Sequence, residues 1–181
     1  MRAFIAIELP PDIRQALARE QARIRAASTD ARWTRPAGIH LTLKFLGYIS
    51  DQQEAQVKDG LRRLGGFEAF TVRVQGFGFF PTAKRPRVFW AGLAAPPGLA
   101  RLAAQIEGAM EHLGFPPEDR PFKPHLTLAR FKTPRPQPKL EVIMAADGNL
   151  SLGAFEVSEF FLWESRLSPS GSEYRKIASF P

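Results

Sequence analysis

The chain has 181 residues, 44% of them hydrophobic, which is enough to bury a core as one domain or two closely joined lobes. It has no cysteine, which excludes disulfides and thiolate metal sites. A net charge of +7 favours polyanionic partners, nucleic acid above all, and no stretch approaches the roughly 20 apolar residues of a membrane-spanning helix.

Residues 2–8 alternate apolar and polar types and predict a strand. The apolar run of Met1–Pro10 is too short for a secretion signal, so a cytoplasmic protein is expected. Pro10-Pro11 opens a helix with Ile13, Leu17 and Ile24 on its buried face. A short strand over 31–35 precedes a longer one over 38–46. Ser50-Asp51-Gln52-Gln53 has capping-box spacing and starts a helix with Val57, Leu61 and Leu64 inward, stopped at Gly65-Gly66. Residues 68–75 read as a strand, with Phe70, Val72 and Val74 on one side; Phe77, Phe79 and Phe80 read as core filling.

After a basic turn at 82–87, a strand over 87–94 restarts the pattern as the partner of strand 2–8. Pro96-Pro97 opens a helix carrying Leu99, Leu102, Ile106, Met110 and Leu113, ended by Gly114 and Pro116. His112 falls in its last turn and reads as a capping or surface residue. A strand over 123–131, a proline-rich basic loop at 133–139, a short helix near 139–146 and strands at 153–164 and 172–180 complete the chain. Strand–helix–strand–helix–strand, twice, predicts an α+β fold of mostly antiparallel sheets with helices on their outer faces.

One phrase occurs twice on these strands: His40-Leu41-Thr42-Leu43 and His125-Leu126-Thr127-Leu128. Side chains two apart on a strand share a face, so each phrase presents a His beside a Thr and turns its leucines the other way. An imidazole moves protons near neutral pH, and a hydroxyl donates to an anionic oxygen. A lone His-x-Thr is weak; the repetition carries the signal. The separation is 125 − 40 = 85 residues, and at the same offset Phe4 falls on Phe89, Ala6 on Ala91, Pro11 on Pro96 and Leu17 on Leu102. The shared offset predicts an internal duplication, with residues 1–181 forming a single bilobal domain.

The extended motifs, His40–Gly47 and Lys123–Arg130, with the tail from Glu164 through Ser168-Pro169-Ser170-Gly171 to Tyr174, resemble the two-histidine phosphoesterase superfamily. They are most similar to its RNA 2′,3′-cyclic phosphodiesterase branch, also called the 2′-5′ RNA ligase family. The resemblance implies two pseudo-twofold-related lobes of antiparallel sheet around a central cleft. It also implies hydrolysis of RNA 2′,3′-cyclic phosphate ends to 2′-phosphomonoesters, with His40 as proton donor and His125 as proton acceptor. Thr42 and Thr127 would hold the non-bridging oxygens, and in ATP-independent 2′-5′ ligation a 5′-hydroxyl RNA end would replace water. Two histidines without a converging carboxylate cluster make a poor metal site, so no metal or other cofactor is expected. RNA is the expected partner, no membrane is, and the chain is expected to act as a monomer.

Two basic residues depend on strand parity. Lys44 shares the His40 face, where it either adds positive charge or is an exposed residue at the strand end. Parity puts Arg130 with Leu126 and Leu128, away from His125, yet the branch carries Arg at this position. A phosphate or RNA contact by Arg130 therefore requires the strand to bulge or end. Two other readings keep the histidines or the fold: a phosphodiesterase for a small cyclic nucleotide or 2′-5′ oligoadenylate, and a non-catalytic RNA-binding module. Paired His and Thr argue against the latter, since a phosphate grip alone would use Arg or Lys.

Overall fold

Period-two patterns become strands and 3.6-residue patterns become helices in the computed structural model, which describes residues 1–181. The order is β1 (Arg2–Ile7), α1 (Pro11–Ile24), β2 (Ala31–Trp33), β3 (Leu41–Tyr48), α2 (Asp51–Arg62), β4 (Phe70–Phe80), β5 (Val88–Ala94), α3 (Pro97–His112), β6 (His125–Phe131), α4 (Pro138–Ala146), β7 (Ser151–Val157), β8 (Phe160–Ser168) and β9 (Gly171–Phe180). The architecture is α+β. One sheet has the order β3-β1-β8-β9, the other β2-β6-β5-β4-β7, and every pairing is antiparallel. Each motif strand lies in its own sheet, β3 in the first and β6 in the second. No helix is long and apolar enough to cross a membrane.

The halves of the chain interleave. β4 leaves the first half to pair with β5, and β8 leaves the second to pair with β1. Strands 2–8 and 87–94, counterparts in the repeat, therefore lie in different sheets. The stretch 153–164 is also two strands, not one. The chain breaks at 158–159 because β7 finishes one sheet and β8 begins the other. β4 runs on past the expected residue 75 to Phe80, which brings its distal end beside the second motif.

The gapless offset of 85 holds for the motifs but not for the strands beside them. Thr42 pairs with Ala6 and Thr127 with Trp90, so β1 and β5 correspond at 90 − 6 = 84. Phe4 consequently matches Val88, and Phe89 matches Ile5. A one-residue slip changes the face of every side chain in a strand. Phe89 is accordingly fully buried in the main core, whereas Phe4 joins Ala6, Phe161 and Trp163 in a separate small cluster on the opposite face of its sheet.

The main core lies between the sheets and their helices. α1 buries Ile13, Leu17 and Ile24, and α3 buries Leu99, Leu102, Ile106 and Met110. α2 carries the capping box: Ser50 Oγ accepts from the Gln53 amide, and Gln53 Oε1 accepts from the Ser50 amide. Phe77 and Phe79 fill core, as their spacing implied. Buried Gln21 of α1 donates to the carbonyls of Thr34 and Leu128, tying the helix to the junction of β2 and β6.

Candidate active site

β3 is an edge strand, and the His125 end of β6 extends beyond the reach of the three-residue β2. The two motif strands contact one another across the seam between the sheets. Each carries a bulge at the same place. Between Thr42 and Lys44, Leu43 has no partner in β1; between Thr127 and Ala129, Leu128 has none in β5. An extra residue reverses the alternation beyond it.

The reversal corrects both parity expectations. Lys44 turns away from His40 into the protein, where it is 3% exposed. Its Nζ pairs with Glu107 of α3 at 2.7 Å and donates to the Pro116 carbonyl at 2.7 Å. Its ammonium is engaged by protein groups and buried on the side of the strand away from the His40 face. The counterpart of Lys44 is Ala129, also buried. Arg130 instead comes onto the His125–Thr127 face, exposed and close enough for its charge to act on His125. The counterpart of Arg130 is Phe45, 60% exposed, on the face of His40 and Thr42. One lobe therefore sets a cation, and the other an aromatic ring, at equivalent points beyond the Thr.

The histidines are held alike. His40 Nδ1 lies 3.1 Å from the Gly38 carbonyl, and His125 Nδ1 lies 2.7 Å from that of Lys123. A carbonyl only accepts, so Nδ1 carries a proton and Nε2 is left for chemistry. Gly38 has a second role: a Cβ there would meet the Tyr174 ring at 2.9 Å, so only glycine lets that ring close over the turn.

Their surroundings differ. His40 is 8% exposed, with ring centroids of Trp163 at 4.5 Å, Tyr174 at 5.1 Å and Phe4 at 5.6 Å. Trp163 Nε1 donates to the Ala6 carbonyl, which fixes that wall. His125 is half-buried, with Phe80 edge-on at 4.8 Å. Burial, then the cation of Arg14, pulls the pKa of His40 down from 6.5 to about 4, against the opposing effects of the Gly38 carbonyl and Glu8. Burial also lowers that of His125; the Lys123 carbonyl opposes the shift and Arg130 adds to it. Both imidazoles are thus predominantly neutral at pH 7 in the free protein. Thr42 and Thr127 are half-buried beside them. His112 is exposed at the end of α3, apart from the site.

A model of the LigT-like phosphoesterase family matches residues 7–90 and 93–174, the two halves in turn. The chain belongs to this family. An RNA 2′,3′-cyclic phosphodiesterase of Methanothermobacter thermautotrophicus is 32% identical over 99% of this chain and 98% of its own. One from Thermus thermophilus is 35% identical over 99% and 89%. A crystal structure of a Thermus thermophilus protein superposes with a TM-score of 0.81 at 32% identity, covering 99% of this chain and 97% of that one. Escherichia coli LigT in complex with 3′-AMP gives 0.79 at 26% identity, covering 99% and 96%.

The family's paired motifs are thus the part of the site that the sequence carried openly. Arg14, Phe45, Phe80 and Trp163 were not legible as site residues. Phe80 read as core with its neighbours, although only Phe77 and Phe79 are buried. Tyr174 lay within the tail that supported the resemblance, but nothing assigned its ring to His40. For Arg14, one arginine on an amphipathic helix gives no signal before the cavity around it is known.

Proposed function

We propose that this protein hydrolyses RNA 2′,3′-cyclic phosphate ends to 2′-phosphomonoesters. The observation that carries the reading is the like placement of two His–Thr pairs on abutting strands, each imidazole anchored through Nδ1 with Nε2 free. The names of the relatives support the same substrate. Displacement at phosphorus aligns the entering and leaving oxygens on opposite sides, so an acceptor and a donor are needed on opposite sides too. His125 takes a proton from water as its oxygen attacks phosphorus. The bond to the 3′ oxygen breaks, and His40 delivers a proton to that oxygen. The hydroxyls of Thr42 and Thr127 donate to the non-bridging oxygens as charge builds there, and Arg130 adds a cation on the His125 side.

The bound phosphate supplies the negative charge that raises His40 toward a protonated state, which its burial opposes in the free protein. With a 5′-hydroxyl RNA end in place of water, the same displacement of the 3′ oxygen forms a 2′-5′ linkage without ATP. Both histidines come from one chain, so in this reading a monomer of one bilobal domain is sufficient. The test is incubation with an RNA ending in a 2′,3′-cyclic phosphate, in EDTA, with products compared against 2′- and 3′-monophosphate standards. A 2′-phosphate is expected. Activity abolished by EDTA and restored by a divalent ion would overturn the mechanism; a 3′-phosphate would overturn the regiochemistry.

A further inference from the structure

Beside His40 lies a cavity of about 430 Å³ containing a cation that nothing in the protein pairs. Among its lining residues are Arg14, Arg35, Trp163, Glu173, Tyr174 and Lys176. Lys176 is already matched: its Nζ pairs with Glu8, also in the lining, and lies 4.5 Å from the centre of the Phe161 ring. Arg14 differs. Its Nε and Nη2 are buried without any hydrogen-bond partner, and it takes part in none of the ion pairs. Buried polar groups in native proteins are overwhelmingly satisfied, and an unmatched charge is the costliest exception. A guanidinium fork is complementary to two oxygens of a phosphate.

The cavity is not the seat of the reacting phosphate. Its lining includes His40 and Gly38 but neither Thr42, Thr127 nor His125. It is a neighbouring space beside His40, and its volume falls within the range of small-ligand pockets. The donor stands at the departing ribose oxygen, so the rest of the terminal nucleotide extends past His40. Tyr174, 36% exposed, offers it a ring face. The next charge along an RNA chain is the phosphodiester on the 5′ side of that nucleotide. Arg14, Arg35 and Lys176 against Glu8 and Glu173 leave the lining at net +1, 3 − 2, with His40 neutral.

We propose that this cavity seats the terminal nucleotide of the RNA, and that Arg14 is the ion partner of the phosphodiester on its 5′ side. The inference rests on the proposed function, with His40 as donor. Its consequence is selectivity: an RNA end carries the charge Arg14 awaits, and a free nucleoside 2′,3′-cyclic phosphate does not.

The experiment compares kcat/KM on a nucleoside 2′,3′-cyclic phosphate with that on a dinucleotide carrying the same cyclic end, for wild type, Arg14→Met and Arg14→Lys. Affinity for the dinucleotide product is measured alongside by calorimetry. A charge-assisted hydrogen bond corresponds to roughly a 10- to 150-fold effect. Because Arg14 also acts on His40, whose change is common to both substrates, the ratio of kcat/KM on the dinucleotide to that on the nucleoside should fall by on the order of that factor in Arg14→Met, and Arg14→Lys should recover part of it. Replacing the internucleotide phosphate by a neutral methylphosphonate should cost wild type a similar factor and leave Arg14→Met nearly unaffected. Removing an unmatched buried cation should also raise the Tm of the free protein, whereas loss of a structural contact would lower it. Equal losses on both substrates, or a methylphosphonate penalty undiminished in Arg14→Met, would overturn the proposal. If wild type turns over neither substrate but Arg14→Met still loses affinity for the dinucleotide, the hydrolase reading falls and the Arg14 site stands.

Discussion

The depressed pKa values make the pH dependence of the free enzyme unusually informative. In the proposed mechanism the donor, His40, works only when protonated, and with its pKa pulled down to about 4 that form is lost as pH rises through that value. The acceptor works only when neutral, and the lowered pKa of His125 means that its active form is lost as pH falls below that value, itself under 6.5. kcat/KM reports the free enzyme. Its bell should therefore lie wholly below pH 6.5. Above that point His125 is predominantly neutral while protonated His40 decreases about tenfold per pH unit, reaching roughly one molecule in a thousand at pH 7. kcat reports the complex, in which the phosphate charge favours protonated His40, so its alkaline limb should sit at higher pH than that of kcat/KM. Initial rates on a cyclic phosphate between pH 4 and 9 at constant ionic strength measure both profiles, and NMR titration of the imidazole protons measures His40 directly. A kcat/KM plateau from pH 6.5 to 8 with chemistry rate-limiting, or a free-protein His40 pKa at or above 6.5, would refute the reasoning.

The two histidines should separate by leaving group. On a p-nitrophenyl phosphodiester, which needs little help in departure, His40→Ala should lose far less than on the cyclic ester, and His125→Ala should lose ~10²–10⁴-fold on both; the opposite pattern would exchange their roles. Lys44→Met should lower stability by roughly 1–3 kcal/mol, since it leaves the partly exposed Glu107 and the Pro116 carbonyl without their donor, and leave kcat/KM of the folded protein near wild type. Denaturant unfolding with parallel assays decides this, and a stable but inactive Lys44→Met would return Lys44 to the substrate. Arg130→Ala should reduce kcat/KM on RNA ends and flatten the decline of affinity with salt. An unchanged rate and salt slope would remove Arg130 from the site.

Local chemistry was legible where it is written in contiguous residues. The capping box at Ser50–Gln53, the proline starts of α1 and α3 and the alternation of both motif strands all appear where their spacing put them. The sheet order was not legible, because pairing of β4 with β5 and of β8 with β1 is decided by the burial of whole faces, which no local pattern encodes. Nor could parity be carried past Thr42 or Thr127. Leu43 and Leu128 are ordinary strand residues, and nothing about a leucine marks it as the extra residue of a bulge.

That pair of bulges also explains how similar strands support unlike roles for their histidines. The backbone repeats: the same Nδ1 anchor two residues back, the same Thr, the same reversal of alternation. The side chains that the reversal presents do not repeat. On the His125 strand it delivers Arg130, an exposed cation, beside a half-buried imidazole. On the His40 strand it delivers Phe45, while Trp163, Tyr174 and Phe4 enclose the ring and Arg14 stands nearby. Deeper enclosure gives His40 the lower pKa, and an imidazolium of lower pKa is the stronger acid. An acid of that strength is of little use in the free enzyme, where it is seldom protonated, but it becomes effective once an anionic phosphate restores the proton. The more open His125, whose pKa burial also lowers, is neutral at pH 7 and so able, in the proposed mechanism, to receive one from water. In the proposed reading, with His40 as donor and His125 as acceptor, this asymmetric enclosure on a repeated backbone is what sets the two imidazoles apart.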